Sequence, residues 1–135
     1  MSEVIVLDTH IWLWLINANF DQVPAGWRDR VELAERVGVS PVSCYEIALA
    51  QKRGRLELLC PTEEWLQGAL EPAGIELFPL TGEIAACAVK LSPVHKDPFD
   101  RIIIATALIY QAQLASVDGL FAQYAELTDC LMQAV

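Results

Sequence analysis

The sequence predicts an α/β fold, a three-layer α/β/α sandwich built on a mostly parallel central sheet. Two apolar runs, Val4-Ile5-Val6-Leu7 and Leu114-Ala115-Ser116-Val117, read as strands covered on both faces. Helix-like segments stand between the strands, so the strands are joined by right-handed crossovers. Asp8 and Asp118 close these two strands, at the carboxyl ends where parallel sheets form ligand sites.

With 135 residues and 54% hydrophobic content, the chain is expected to form one domain over residues 1–135. That composition excludes a disordered chain. Apolar runs such as 102–109 fall short of the ~20 residues that a membrane span needs. No basic segment precedes an apolar one at the start, so a cytoplasmic protein is expected. Cys44, Cys60, Cys87 and Cys130 form no C-x-x-C pair, and His10 and His95 are the only histidines. Free thiols in a reducing compartment are the better reading than zinc. A net charge of −9 argues against broad electrostatic binding of nucleic acid.

In chain order, residues 10–16 predict a first helix, apolar nearly all round, either buried or at a subunit contact; a homodimer is expected from it. Residues 20–26 read as a loop and 27–37 as an amphipathic helix stopped by Gly38. A short strand is expected at 39–42, then a helix from Ser43 to about Arg53, closed by Gly54. Helices are further expected at 62–70, 82–91, 97–111 and 118–124, and a strand at 75–80. The last residues, 129–135, suit an edge strand.

Five acids stand near the starts of elements. In Asp97-Pro98-Phe99-Asp100, Asp97 fits an N-cap, Pro98 the first helical position and Asp100 the positive end of the helix dipole. Ser43-Cys44-Tyr45-Glu46 fits a capping box. Asp8 and Asp118 would each cap a following helix. Each acid thus has a structural explanation of its own. Together, at one rim of a sheet, they would repel one another unless a cation sat among them. Oxygen ligands alone suit Mg²⁺ or Mn²⁺, which supports in-line attack on a phosphodiester.

Four segments carry a family resemblance: Val6-Leu7-Asp8-Thr9-His10-Ile11-Trp12-Leu13-Trp14, Val42-Ser43-Cys44-Tyr45-Glu46-Ile47-Ala48, His95-Lys96-Asp97-Pro98-Phe99-Asp100-Arg101 and Ala115-Ser116-Val117-Asp118-Gly119-Leu120-Phe121. In their order and spacing they resemble PIN-domain ribonucleases, and more closely the VapC-type toxins of type II toxin–antitoxin systems. The resemblance implies a metal-dependent endoribonuclease whose catalytic and metal-holding quartet is Asp8, Glu46, Asp100 and Asp118, with Asp97 in support. Thr9 and Ser116 match auxiliary hydroxyl positions that orient a carboxylate or a water; local backbone capping explains them equally well. The implied cofactor is Mg²⁺ or Mn²⁺. The implied partners are an RNA substrate and a small VapB-like antitoxin covering the acidic groove.

Arg101, Lys96 and Arg53 are candidates for RNA phosphate or antitoxin contacts. Arg101 alternatively pairs with Asp97 one turn back, and Arg53 suits a solvated helix end. His10 suits a partly buried, hydrogen-bonded histidine better than an acid/base group, and His95 is open between the same two. Trp12 and Trp14 suit the core or a dimer contact better than base stacking. Two rival readings are an Asp-based phosphatase or phosphoacceptor domain, with Asp8 as nucleophile, and a non-catalytic interaction domain whose acids only cap helices.

Overall fold

In the computed structural model, which describes residues 3–133, strand β1 (Val4–Leu7) lies inside a four-stranded parallel sheet. Its neighbours are β2 (Arg36–Val39) and β4 (Gln113–Ala115), and β3 (Glu76–Leu77) flanks β2, giving the order β3-β2-β1-β4. Registers such as Val6 opposite Gly38 and Leu7 opposite Ala115 bring the ends of β1 and β4 to one rim. Side chains alternate across the sheet as strand geometry requires. Ile5, Leu7, Val37, Val39 and Ala115 enter one core, and Val6 and Leu114 the other.

The first core packs under helices α1 (Thr9–Ile16), α2 (Trp27–Leu33), α3 (Pro41–Lys52) and α4 (Thr62–Gly68). The second packs under α6 (Pro98–Ile109), with α5 (Gly82–Lys90) lying against α6. These are the three layers that the sequence predicts. In α1, Ile11 and Trp12 are fully buried, and the Trp12 indole donates to the Ala69 carbonyl at 2.9 Å. Much of the apolar surface of this helix is therefore used inside the chain. The four cysteines are free and partly buried. Among the described residues, no helix is long and apolar enough to cross a membrane.

Three expectations are corrected around β2. The helix expected over 27–37 ends at Leu33, and Arg36 begins a strand. Arg28 and Glu32 do form a wet face on α2, but Arg36 belongs to a bidentate pair instead: it donates to both Glu76 oxygens, at 2.9 and 2.7 Å, on the neighbouring strand. Gly38 does not stop a helix; it lies within β2, where a Cβ would stand 2.6 Å from the Glu76 carbonyl oxygen and 2.7 Å from the Phe78 ring. The strand expected at 39–42 starts earlier, and Ser40, not Ser43, caps α3 by accepting from the Val42 N–H at 3.3 Å.

Elsewhere the differences are of extent. The strand expected over 75–80 is confined to Glu76–Leu77, and residues 118–124 form a 3-10 turn over Gly119–Gln123. In the expected edge strand at 129–135, Leu131 makes a single parallel bridge to Leu114, while Ala134 and Val135 lie outside the described residues.

Candidate functional site

A groove of about 470 Å³ opens at the carboxyl-end rim of the sheet. It is lined by Asp8, Glu46, Asp97, Asp100 and Asp118, together with Thr9, His10, Trp14 and Val117. The quartet that the sequence suggests therefore shares one groove. Its lining holds five carboxylates and, among the described residues, no lysine or arginine.

Asp8 follows β1 and caps α1: its Oδ1 accepts from the Thr9 N–H at 2.8 Å and its Oδ2 from the Ser116 hydroxyl at 2.7 Å. Ser116 in turn accepts the Asp118 N–H at 3.1 Å, so one hydroxyl ties the ends of two neighbouring strands together. Both roles weighed for Ser116, backbone capping and carboxylate orientation, are thus realised. The Thr9 hydroxyl donates to Glu46 Oε1 at 2.7 Å and lies 2.8 Å from Ser43 Oγ. A hydroxyl has one proton, so Ser43 donates to Thr9 while Thr9 donates to the carboxylate. Glu46 sits well inside α3 and makes no capping box with Ser43; its tether is Thr9, on α1.

Asp97 caps α6, accepting from the Phe99 N–H at 2.9 Å with Pro98 at the first helical position. Asp100, one turn in, makes no hydrogen bond among the described residues and lies 3.9 Å from His95 Nε2. Asp118 caps the 3-10 turn through Oδ1 and the Leu120 N–H, and its Oδ2 is 3.0 Å from His95 Nε2. Ligand-type atoms of His95, Asp100 and Asp118 lie within 4.8 Å of one another, a tighter set than the full quartet.

The electrostatics record this crowding. Burial pushes the Asp8 carboxyl above its ordinary range, against the opposing hydrogen bonds from Ser116 and Thr9. Glu46 is raised by burial too, opposed by the Thr9 hydroxyl and reinforced by the charges of Asp8 and Asp97. Asp100 is pushed up to about 6, by burial first and then by Asp97, Asp8 and Glu46, with His95 opposing. Carboxylates that raise one another in this way, with no lysine or arginine in the lining and only His10 opposing at Asp8, form a group that could hold a cation. The donor set is oxygen from carboxylates, as hard divalent cations require.

The expected cationic contacts fare differently. Arg101 is not free for phosphate and does not pair with Asp97. Its guanidinium donates to five carbonyl oxygens, those of Ala88, Val89, Leu91, Ser92 and His95, and so closes the end of α5. Carbonyls left open at a helix C-terminus demand such donors. Lys96 and Arg53 are exposed and do not line the groove. His95 takes the hydrogen-bonded role, one of the two expected of it, while Ser43 does not have the capping role expected of it. Nothing in local spacing points to either, because their partners are 23 and 34 residues away.

Comparison with known proteins agrees with the fold. The family model for the PIN domain matches residues 5–127. Ribonuclease VapC22 of Mycobacterium tuberculosis is 30% identical over 115 residues, spanning 84% of this chain and 86% of that protein. Among solved structures, VapBC2 from Rickettsia felis bound to a DNA fragment from its promoter shares the fold with a TM-score of 0.69 at 16% identity, covering 96% of this chain and 97% of the matched one. A toxin–antitoxin complex from Klebsiella pneumoniae gives 0.59 at 17% identity, covering 96% of each chain. From the match over 5–127 and the relative that spans most of its length, the chain belongs to the PIN-domain family.

Proposed function

We propose that this protein is a divalent-metal-dependent endoribonuclease, the toxin of a toxin–antitoxin pair with a VapB-like antitoxin. The observation that carries the reading is the convergence of Asp8, Glu46, Asp100 and Asp118 on one groove whose lining holds no lysine or arginine to neutralise them. The named ribonuclease relative and the toxin–antitoxin complexes that share the fold support the substrate class and the partner. In this reading the chain is one cytoplasmic nuclease domain.

The four carboxylates would hold Mg²⁺ or Mn²⁺, with Asp97 in support. A divalent cation there supplies Lewis-acid activation of water and of the phosphodiester and offsets the charge that gathers in the transition state. The chain's own work is orientation. Thr9 fixes Glu46, Ser116 fixes Asp8, and each bond favours the charged form that a cation needs. Water adds to phosphorus, the strand's P–O bond breaks, and the leaving oxygen takes a proton.

The rivals meet specific obstacles. An Asp8 nucleophile would give no account of why Glu46 and Asp100 converge on the same groove. A set of helix caps explains Asp8, Asp97 and Asp118 but leaves Glu46 and Asp100 buried against other acids for no structural gain.

The test is cleavage of total RNA by antitoxin-free protein with Mn²⁺, with chelator, and with Asp100→Asn. Cleavage in the first arm alone, with discrete mapped ends, is the expected result. RNA left intact by metal-loaded wild-type protein sinks the nuclease.

A further inference from the structure

Asp118 is held from a side that the acidic quartet does not explain. His95 lies in the loop between α5 and α6, and its side chain is only 6% exposed. The ring meets the Phe121 edge at 5.0 Å between centroids and lies nearly parallel to the Tyr124 ring, at 5.5 Å and 11°. Each ring nitrogen has one partner: Nδ1 stands 2.9 Å from the Tyr124 hydroxyl and Nε2 stands 3.0 Å from Asp118 Oδ2.

Counting protons fixes the tautomer. The Tyr124 oxygen already accepts the His95 backbone N–H at 2.9 Å. A phenol has one proton to give. Were Nδ1 to carry a hydrogen, the Tyr124 proton would have no acceptor, and Tyr124 is buried at 1% exposure. In the neutral ring a bare Nε2 lone pair would then also face the Asp118 carboxylate. With Tyr124 O–H donating to Nδ1, the ring proton sits on Nε2 and donates to Asp118. Every donor of this group is then used, as buried polar groups require.

We propose that Tyr124 and His95 form a positioning pair that holds Asp118 for the cation. Tyr124 sets the tautomer, and His95 delivers the Nε2–H that fixes the carboxylate. Oδ1 is fixed separately by the Leu120 N–H. His95 is therefore a donor to the site and not a nitrogen ligand, although its Nε2 lies among the ligand-type atoms of Asp100 and Asp118. The inference rests on the reading of Asp118 as a metal ligand. Its logic is that of outer partners that orient metal ligands, whose loss costs roughly 10–100-fold in affinity or activity.

The test uses the full chain and three variants, Tyr124→Phe, His95→Ala and His95→Gln, with circular dichroism to verify folding. In metal-free wild-type protein, long-range ¹H–¹⁵N correlation of the histidine side chains should show His95 protonated on Nε2 and bare on Nδ1. Tyr124→Phe keeps the ring packing and removes the donor, so this pattern should give way to mixed tautomers. Mn²⁺ affinity, read by electron paramagnetic resonance, should fall about 10–100-fold in His95→Ala and return to within about threefold of wild type in His95→Gln, whose amide supplies a donor near the Nε2 position. An Nδ1–H tautomer in wild type, or wild-type Mn²⁺ affinity in a folded His95→Ala, overturns the pair. Neither readout uses RNA. A protein that binds Mn²⁺ as described but cuts no RNA would overturn the nuclease and leave the pair standing.

Discussion

Asp8 and Asp100 line the same groove, yet the fold treats them in opposite ways. Asp8 ends a central strand, with one oxygen on the Thr9 N–H and the other on the Ser116 hydroxyl. Asp100 sits one turn into α6, has no hydrogen bond among the described residues, and meets mainly other negative charges. Glu46 and Asp118 resemble Asp8, each tied by a donor from another element. On the proposed reading, three of the four acids would be tethered by the scaffold before any cation arrives, while the fourth is untethered and pushed furthest up, to about 6. If the groove takes up a cation as proposed, the tethered acids would set its geometry and Asp100 would contribute most to the demand for it.

The largest effect should come from removing that demand. Asp100→Asn keeps shape and removes a charge, so cleavage should fall by about 10²–10³-fold or more, the scale for deleting one electrostatic stabiliser of a transition state. The same change should abolish the Mn²⁺-induced rise in melting temperature. A variant that cuts RNA at the wild-type rate would erase the contrast with Asp8 altogether.

Loosening the tethers should cost less. Ser116→Ala frees one oxygen of Asp8, and Thr9→Val frees Glu46 and leaves Ser43 without its acceptor. Each should lower cleavage roughly 10–100-fold, as outer-partner changes do, with about 1 kcal/mol lost in stability per hydrogen bond. Steady-state kinetics beside thermal melts would separate the two losses. A loss of stability with unchanged kcat would show that the tethers serve only the fold.

A change outside the groove calibrates both. Gly38→Ala forces a Cβ to within 2.6 Å of the Glu76 carbonyl oxygen and 2.7 Å of the Phe78 ring. Overpacking of this sort should cost about 1–3 kcal/mol, seen as a lower melting temperature, while cleavage per folded molecule stays at the wild-type level. A parallel fall in cleavage per folded molecule would tie the β2–β3 contact to the site.

These contrasts also mark what the sequence could convey. Asp8, Asp97 and Asp118 were legible because strand ends and helix caps leave local signatures: an apolar run before the acid, and a proline after Asp97. The layers followed from alternating strands and helices. β2 was misread because Arg36 and Glu35 look like a helix's wet face, when Arg36 in fact reaches Glu76 on a strand 40 residues away. For the same reason Gly38 looked like a stop; the Phe78 ring that requires a glycine there is invisible to local reading. Glu46 stands out among the acids near element starts, but local spacing points it to the wrong neighbour, Ser43, and not to Thr9. Arg101 looked available beside the acids, because nothing near it in sequence announces that it closes the carbonyl end of α5. Long-range hydrogen bonds, more than elements, were what sequence could not supply.

The smallest predicted effect is the one that isolates Asp100. Its folded pKa is about 6 against an ordinary 3.8, so between those values the folded chain binds more protons than the unfolded one. Stability of the metal-free protein should therefore fall as pH rises through this window. Below about 3.8 the advantage of the protonated group is fully present, and by about 6 it is lost. Asp100→Asn removes the titration, so at pH 8 the metal-free variant should be the more stable protein. Full conversion of the shift would overstate the gap, because the carboxyl is partly exposed and solvent screens it; about 1 kcal/mol is the expected size, or roughly 2–5 °C in melting temperature. At pH 4 the gap should nearly close. With Mn²⁺ at pH 8 the order should reverse, since the cation stabilises only the chain that binds it. A gap independent of pH would mean that Asp100 is an ordinary surface acid, and the division between tethered and untethered ligands would lose its physical basis.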